Sequence, residues 1–337
     1  MTMIHAYAAQ APGGKLTPFE YDPGPLGPDE VELQVSHCGV CHSDLSMLDD
    51  EWRQSAYPLV PGHEVIGLVR ARGERVEHLS LGQTVGLGWM SASCMTCPQC
   101  MAGDHNLCQR SEATIVRRHG GFADRVRCSA TWALPLPEGL DAADAGPLFC
   151  GGSTVFNPFL ELDIKPTDHV GVVGIGGLGH LALQFANKWG CEVTAFTSSE
   201  DKRDEAIALG AHHVVGSRDV GALKARAGTF DVILSTVNVS LDWPSYVLAL
   251  RPRGRLHSVG AVDAPIAIPA FRLIGGQKSL SGSPVGSPET VRKMLEFCAR
   301  HGIAARTEHF PMRRVNDAME RLRSGEARYR VVLDAEG

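Results

Sequence analysis

Four cysteines follow one another at short, regular intervals in the first third of the chain. Two residues separate Cys94 from Cys97 and Cys97 from Cys100, and seven residues separate Cys100 from Cys108. Four thiolates supply the tetrahedral ligand set of a structural zinc ion and leave no position for a substrate. Sets of four cysteines also hold iron–sulfur clusters, but nothing else in the chain calls for electron transfer through a cluster. We therefore predict a structural zinc site here, with four unrelated buried thiols as the weakest alternative.

A second set of metal-binding side chains is scattered along the sequence. Cys41 opens the segment Cys41-His-Ser-Asp, His63 and Glu64 lie about twenty residues further on, and Cys150 precedes two glycines. A catalytic zinc ion takes about three protein ligands and keeps one position open. Cys41, His63 and Cys150 meet that requirement, and Glu64 is a fourth candidate. From the spacing alone, packed structural residues remain an alternative, because a single His or Cys usually belongs to a core.

A glycine-rich turn in the middle of the chain has the form of a dinucleotide-binding loop. It includes Gly174, Gly176, Gly177, Leu178 and Gly179 and directly follows a short apolar run. In a strand–turn–helix unit, such glycines permit a tight turn and bring the pyrophosphate close to the helix N-terminus. We predict dinucleotide binding at this loop, with a purely structural glycine turn as the alternative.

The residues after the next strand indicate which dinucleotide binds. An NAD site carries an acidic residue about twenty positions after the glycines, where it binds the ribose hydroxyls. Here the strand ends in Phe196-Thr-Ser-Ser, so that Ser198 and Ser199 occupy this place, and Lys202 follows. Hydroxyls and a cation accept the 2′-phosphate of NADP(H), whereas a carboxylate would repel it. We therefore predict NADP(H) over NAD(H); the alternative for Lys202 is an exposed helix start.

The elements that must position these residues fall into two patterns. Short alternating segments in the glycine- and proline-rich N-terminal third predict strands at Val31–Val35, Val65–Arg72 and Thr84–Gly88. The middle third alternates apolar strands with helices, which is typical of a parallel α/β sheet. Its predicted strands and helices are Val170–Val173, Leu178–Lys188, Cys191–Phe196, Lys202–Leu209, His213–Val215, Phe230–Ser235 and Arg255–Val259.

The end of the chain returns to the character of its beginning. Two helices, Pro288–His301 and Val315–Ser324, precede a final strand at Arg330–Leu333. We therefore predict that a continuous middle domain is inserted into a discontinuous one. The limits are residues 1–150 with 287–337 for the outer domain and 151–286 for the inserted domain.

Composition excludes several classes of protein. The chain has 337 residues, of which 44% are hydrophobic and 21% charged, enough apolar residues for a packed core and too many for a disordered chain. Its net charge is −6, without the basic excess of a dedicated nucleic-acid binder. The longest apolar stretch, Val170–Phe185, is interrupted by glycines and is too short to span a bilayer.

The cysteine content bears on the compartment. Ten cysteines in a chain without a recognisable secretory signal are expected to bind metal or react rather than to form disulfides. We therefore expect a cytoplasmic protein with no membrane partner.

Together, these motifs resemble those of the zinc-dependent medium-chain dehydrogenase/reductases. Cys41-His-Ser-Asp, Gly62-His-Glu, the four-cysteine lobe, Cys150 and Gly174–Gly179 occur in the order found in that family, across essentially the whole chain. Gly88-Trp-Met before the lobe and Thr197-Ser-Ser are similar to the cinnamyl-alcohol-dehydrogenase-like, NADP-dependent branch. The resemblance implies an α/β protein with a GroES-like, β-rich catalytic domain and a Rossmann domain with a doubly wound parallel sheet.

The resemblance also implies roles for individual residues. Cys41, His63 and Cys150 would hold the catalytic zinc, and Ser43 would take the proton-relay position beside it. On the cofactor side, the residues that correspond to contacts of the nicotinamide and ribose are Thr154, Val259, Gly260 and Ser283. Many relatives carry a relay histidine two positions after Cys-His-Ser/Thr-Asp, and Ser46 stands there in this chain. A serine cannot hold a proton near neutral pH as an imidazole can, so the last step of the relay departs from the family pattern.

The predicted function is a zinc-dependent interconversion of primary alcohols and aldehydes with NADP(H), in the direction of aldehyde reduction, with two zinc ions per chain. One alternative is a metal-free quinone or enoyl reductase of the same fold. The other is a non-enzymatic zinc-ribbon protein that senses NADPH or binds nucleic acid. The resemblance suggests a homodimer, or a homotetramer, joined through an edge strand of the nucleotide domain, and Pro265–Pro269 is the candidate for that edge.

Overall fold

The computed structural model describes residues 3–262 and 264–335. The chain forms two compact units, which we call the split unit and the continuous unit. The split unit contains the chain up to Ser153 and from Gly286 onward, and the continuous unit is Thr154–Val285. The predicted limits at residues 150/151 and 286/287 lie close to these boundaries. Among the described helices, none is both long and apolar enough to cross a membrane.

The strands and helices are numbered in chain order. The strands are β1 (Ile4–Ala8), β2 (Thr17–Tyr21), β3 (Glu30–Val40), β4 (Glu64–Arg72), β5 (Thr84–Leu87), β6 (Met90–Ala92), β7 (Glu112–Ala113), β8 (Arg125–Ser129), β9 (Leu134–Pro135), β10 (His169–Val173), β11 (Glu192–Thr197), β12 (His213–Gly216), β13 (Phe230–Ser235), β14 (Leu250–Ser258), β15 (Ser279–Gly282), β16 (Thr307–Pro311) and β17 (Arg330–Asp334). The α-helices are α1 (His42–Leu48), α2 (Pro98–Ala102), α3 (Ala142–Ala145), α4 (Gly151–Glu161), α5 (Gly179–Trp189), α6 (Arg203–Ala208), α7 (Val220–Lys224), α8 (Trp243–Ala249), α9 (Ala270–Ile274), α10 (Pro288–His301) and α11 (Val315–Arg323).

The split unit is built on a sheet in which both ends of the chain meet. Its strand order is β16-β17-β3-β4-β5-β9, and β8 also pairs with β3. The last strand, β17, runs antiparallel to β3, with Val331 opposite Val40. Strand β3 has irregularities at Glu32/Leu33 and Val35/His37, and such bulges bend a strand. It extends beyond the predicted Val35 to Val40, the residue directly before Cys41.

The continuous unit is a doubly wound parallel sheet. The strand order is β12-β11-β10-β13-β14-β15, and every neighbouring pair is parallel. The chain winds outward from β10 in one direction and then from β13 in the other, so the order of strands reverses between β10 and β13. In such sheets, ligands bind outside the carboxyl ends of the strands at this point of reversal. The predicted α/β class is thereby confirmed.

The observed limits of three predicted helices can be compared with the predictions. The first helix after the glycine loop, α5, ends at Trp189 because Gly190 adopts a left-handed φ of 105°. The helix predicted at Lys202–Leu209 begins as a 3₁₀ turn, Glu200–Lys202, and continues as α6. Helix α10 has the predicted limits, since the Ser287 hydroxyl caps its first turn and Gly302 ends it with a φ of 64°.

The edge strand predicted at Pro265–Pro269 is wrong. The residues on either side of Ile266 and Ile268 form an irregular connection that leads into α9. Proline has no N–H for a ladder hydrogen bond, so two prolines within five residues work against a strand. The edge on this side of the continuous unit is β15, which pairs with β14 through Ser279–Gly282.

Candidate active site

The second predicted metal set is brought together in the split unit. One potential ligand atom from each of Cys41, His63, Glu64 and Cys150 lies within 4.8 Å of the others, and all four residues are buried. Cys41 follows β3, His63 and Glu64 lie at the start of β4, and Cys150 follows the 3₁₀ turn Gly146–Phe149. Three separate segments of chain therefore converge on one point.

Asp44 is the residue that organises this convergence. Its carboxylate accepts hydrogen bonds from the main-chain N–H of Cys41 at 2.9 Å and of Gly62 at 2.8 Å. It also accepts from the Nδ1 atom of His63 at 3.0 Å, which leaves the Nε2 lone pair facing the Cys150 sulfur at 3.3 Å. A carboxylate behind a histidine fixes the tautomer and the direction of a ligand ring. Asp44 belongs to the quoted Cys41-His-Ser-Asp segment, and its spacing of three from Cys41 is a capping-box signal that sequence reasoning had not used.

The electrostatics of the cluster suit a metal cation. The pKa of the Cys41 thiol lies well below its ordinary value, because its hydrogen bond with Cys150, the nearby Arg330 cation and the His63 ring together outweigh burial. Burial alone would lower the pKa of His63, but the Asp44 charge and hydrogen bond together with Cys41 raise it. A thiolate, a second thiol, an imidazole and a carboxylate form a donor set that zinc prefers. The residues present therefore fit the ion.

Glu64 forms an ion pair with Arg330 inside the split unit. Arg330 Nη2 donates to Glu64 Oε1, with side-chain exposures of 3% and 0%. The second oxygen, Oε2, is buried and has no hydrogen-bond partner among the described residues, so it is free to face a cation. Both partners of this Glu64–Arg330 pair are buried. Sequence carries no signal for it, because the two partners are 266 positions apart.

Aromatic side chains form one wall of the cluster. Trp89 meets the His63 ring edge-on at 5.0 Å between centroids, and Trp52 meets Trp89 at 5.8 Å. Both indoles pack with the buried side chains of Met47, Leu59 and Ile115. The surroundings of the metal ligands are therefore apolar and aromatic on this side.

Two hydroxyl groups of α1 extend the site. The Ser43 hydroxyl lies 3.9 Å from the Cys41 sulfur, beside the metal set. The buried Ser46, at the position of the relay histidine, donates to Glu51 Oε2 at 2.6 Å. Glu51 is exposed. The imidazole expected in relatives is thus replaced here by a hydroxyl that is bonded to a surface carboxylate, a partner that sequence reasoning missed.

The four-cysteine lobe is closed, as the spacing predicts. Cys94, Cys97, Cys100 and Cys108 place their sulfurs within 4.8 Å of one another. Main-chain N–H groups point at these sulfurs, from Cys97 to Cys94 at 3.3 Å and from Cys100 to Cys97 at 3.5 Å. Hydrogen bonds of the Thr96 and Cys97 main chain lower the pKa of the Cys94 thiol to about 5 despite the opposing effect of desolvation. Such bonds stabilise thiolates, which are the form that binds zinc.

The four remaining cysteines lie outside both metal sets. Cys38, Cys128, Cys191 and Cys298 are buried free thiols. Burial raises the pKa of each, as expected of small packed apolar residues.

The glycine loop has the backbone geometry that its sequence predicts. Gly174, after β10, has a φ of 88°, and a Cβ on Gly179 would lie 1.8 Å from the Gly174 carbonyl oxygen. Only glycine therefore permits this approach of turn and helix. A Cβ on Gly176 would meet nothing within 4 Å, so the loop is open on that side. The Thr236 hydroxyl donates to the carbonyls of Val173 and Gly174, and these hydrogen bonds stabilise the turn.

Residues beyond β11 reach back to this loop. Ser198 and Ser199 follow the strand, with Ser198 exposed and Ser199 half-buried. Lys202 Nζ donates to the Ile175 carbonyl at 2.9 Å, so its ammonium lies against the glycine loop. The structure thus places Lys202, of the predicted 2′-phosphate residues, against the predicted pyrophosphate loop.

The remaining predicted cofactor residues lie at two places in the continuous unit. Val259, Gly260 and Ser283 follow β14 and β15 at their carboxyl ends, and a Cβ on Gly260 would lie 2.1 Å from the Val237 carbonyl oxygen. Thr154 lies in α4 and is 8% exposed.

Comparison with known proteins agrees with this geometry. Residues 27–138 match the family model of the alcohol dehydrogenase GroES-like domain, and residues 177–300 match that of the zinc-binding dehydrogenases. An aldehyde reductase, AdhA of Synechocystis sp., is 56% identical over 331 residues, which cover 98% of each chain.

Solved structures give the same result. A cinnamyl alcohol dehydrogenase from Sorghum bicolor superposes with a TM-score of 0.94 at 38% identity, over 99% of this chain and 98% of the other. A cinnamyl alcohol dehydrogenase from Helicobacter pylori, solved in complex with NADP(H), has a TM-score of 0.91 at 26% identity and similar coverage. The likeness extends over the whole chain.

Proposed function

The chain belongs to the zinc-binding alcohol dehydrogenases, and from that premise we propose that it is a zinc-dependent, NADPH-using aldehyde reductase that also oxidises the corresponding primary alcohols. The observation that carries the proposal is the convergence of Cys41, His63, Glu64 and Cys150 within 4.8 Å. A metal-free quinone or enoyl reductase of the same fold has no use for such a buried ligand set.

Cys41, His63 and Cys150 are the proposed ligands of the catalytic zinc, with Glu64 as a carboxylate able to approach it. At such a set, zinc supplies Lewis-acid polarisation of a carbonyl or hydroxyl oxygen. Asp44 holds Cys41 and His63 in place, and Arg330 compensates the buried charge of Glu64. The protein's contribution is therefore a fixed, buried ligand set in which Arg330 offsets the charge of Glu64.

Ser43 is the proposed first proton donor and acceptor for the substrate oxygen. Its hydroxyl lies beside the Cys41 sulfur, and a hydroxyl can both donate and accept within one hydrogen-bonded chain. The indoles of Trp52 and Trp89 exclude water from one side of the ligand set and offer a flat apolar surface. This wall favours aldehydes with an apolar or aromatic body.

The continuous unit is the proposed NADP(H) site, and the cofactor supplies the hydride. The N-terminus of α5 and the glycine loop before it would hold the pyrophosphate. Lys202, Ser198 and Ser199 bind the 2′-phosphate of the adenosine ribose, which favours NADPH over NADH. For the nicotinamide half we propose contacts from Thr154, Val259, Gly260 and Ser283.

Two copies of the chain are proposed to associate through β15. This strand is the edge of the sheet in the continuous unit, and Leu280 on it is exposed together with Phe271 and Ile274 of the preceding helix α9. Unpaired edges with exposed apolar side chains favour pairing with a second copy. The compartment we propose is the cytoplasm, because the two thiolate metal sets require reducing conditions.

The test combines metal content with cofactor choice. The purified protein should contain close to two zinc ions per chain and should oxidise NADPH faster than NADH with aromatic and aliphatic aldehydes. Cys41→Ser should abolish turnover and leave NADPH binding largely intact. Turnover in a zinc-free preparation would contradict the mechanism. A zinc content near one would favour the metal-free reductase or a non-enzymatic zinc-lobe protein.

A further inference from the structure

A buried histidine bridges two serines at the edge of the sheet in the continuous unit. His257, on β14, is 2% exposed. Its Nδ1 atom lies 2.8 Å from the Ser281 hydroxyl, and its Nε2 atom lies 2.9 Å from the Ser283 hydroxyl. Both ring nitrogens are thus committed to hydroxyls of the neighbouring edge strand and the residue that follows it.

The bridge ends at the ligand-binding edge of the sheet. At the carboxyl ends of the strands, Val173 of β10 lies beside Ser235 of β13, Ser235 beside Ser258 of β14, and Ser258 beside Gly282 of β15. Ser283 is the next residue after this row, just as Gly174 of the glycine loop is the next residue after Val173. The two residues therefore lie on the same edge, on either side of the reversal of strand order.

This placement assigns Ser283 to one half of a bound dinucleotide. The glycine loop after β10 would hold the pyrophosphate of a bound dinucleotide, and the residues after β11 would hold its adenosine ribose. The ends of β13, β14 and β15 would then hold the other half of the molecule. Ser283 is the hydroxyl residue at the far end of that path.

Resting on the proposed NADP(H) function, we propose that His257 is a positioning residue for the nicotinamide half of the cofactor: by bridging Ser281 and Ser283 it fixes the direction of the Ser283 hydroxyl. Burial and the nearby Arg255 cation lower the pKa of His257 to about 4, so the ring is neutral at working pH. A neutral imidazole has one donor and one acceptor nitrogen. One serine must then donate to the ring and the other must accept from it, so neither hydroxyl rotates freely.

The test compares NADPH with a fragment that lacks the whole nicotinamide half. Dissociation constants are measured for NADPH and for adenosine 2′,5′-bisphosphate, which contains neither the nicotinamide nor its ribose. His257→Leu should weaken NADPH about tenfold, equivalent to about 1.4 kcal/mol, and leave the fragment unchanged. His257→Gln keeps one donor and one acceptor and should stay close to wild type. His169→Leu is the matched control: it removes a ring bonded to Thr194 at 2.9 Å, at the amino end of the sheet, and should not change the ratio of the two constants.

A second variant keeps the test independent of folding defects in His257→Leu. Ser283→Ala should reproduce the selective loss of NADPH affinity, and combining it with His257→Gln or His257→Leu should add little further loss, because both substitutions act on one hydroxyl. Equal weakening of both ligands, or no weakening of NADPH, would overturn the role of His257. Failure of the wild-type protein to bind NADPH would instead overturn the proposed function together with this inference.

Discussion

Asp44 accepts a hydrogen bond from the Nδ1 atom of His63 at 3.0 Å, and neither side chain has any exposed surface. The same carboxylate holds the main-chain N–H of Cys41, so one buried anion sets the position of two metal ligands from different segments. The positions of these metal ligands therefore depend on Asp44, a residue outside the ligand set. Substitution of Asp44 should therefore lower the affinity of the site for its metal ion.

Asp44→Asn should lower the affinity of the catalytic site for zinc about 10–100-fold, because the His63 ring loses its anionic acceptor. Zinc loss to a chelator, followed together with aldehyde reduction, measures the effect. Asp49→Asn is the matched control, since Asp49 ends the same helix and pairs with Arg323 at the surface. Equal zinc retention in both variants would show that Asp44 does not orient the ligand.

The two zinc sites should separate by substitution. Cys97→Ser should remove the ion of the four-cysteine lobe and lower the melting temperature, because a structural zinc site contributes folding energy. Cys41→Ser should remove the catalytic ion and turnover while the lobe keeps its zinc. Zinc content and melting temperature are measured on both variants. Cys298→Ala, which alters a buried thiol outside both sets, should keep both ions; loss of both ions in Cys97→Ser would contradict independent sites.

Arg330→Met should destabilise the split unit by about 3–5 kcal/mol, because it leaves the Glu64 carboxylate buried without its cation. Denaturant unfolding measures the change. The double variant Arg330→Met/Glu64→Gln should recover part of the loss, since no unpaired charge remains. Arg323→Met breaks the more exposed pair with Asp49 and should cost less than about 1 kcal/mol. Similar costs at both positions would contradict a special role for burial.

Lys202→Ala should lower kcat/KM for NADPH about 10–100-fold and change the value for NADH little, because a charge-assisted hydrogen bond to a phosphate contributes about 1.5–3 kcal/mol. The ratio of the two kcat/KM values is the measurement. Lys188→Ala, in the last turn of α5 and away from the glycine loop, is the control. An unchanged ratio in Lys202→Ala would refute the proposal that Lys202 binds the 2′-phosphate.

Features that depend only on residues close together in the sequence could be predicted from it. The four-cysteine lobe is a single short segment, and the glycine loop needs only a strand, a turn and a helix, so neither depends on distant parts of the chain. The limits predicted for α10 agree with the structure, where a serine cap and a terminal glycine adjoin the helix in sequence. By contrast, the partner of Glu64 lies on the last strand, and its position follows only from the pairing of β17 with β3.

Alternation of apolar residues predicted one strand that the structure does not contain among its described residues. Pro265–Pro269 has the alternation of a strand, yet the missing N–H groups of its prolines leave the sheet edge to β15. The bridge made by His257 had no sequence signal, because a single histidine on a strand is usually a packed structural residue.

Two neighbouring histidines should give opposite pH dependences of stability. Burial alone would lower the pKa of His309, but hydrogen bonds to Asp334 at 2.7 Å and Asp144 at 3.2 Å raise it above 6.5. The stabilisation by His309 is therefore fully present below about pH 6.5 and is lost as the pH rises through the raised value. Burial lowers the pKa of His37, whose ring lies 6.4 Å from that of His309, so its contribution is present above pH 6.5 and is lost as the pH falls.

Melting temperatures between about pH 5.5 and 8.5 test this pair. His309→Gln should destabilise the protein most at the acidic end, because the charged ring no longer bridges two carboxylates. His37→Gln should instead improve relative stability at the acidic end, because a half-buried ring no longer has to be protonated there. His5→Gln alters an exposed histidine and serves as the control. If His309→Gln and His37→Gln shifted the pH profile in the same direction, the two rings would not differ in the way that their surroundings require.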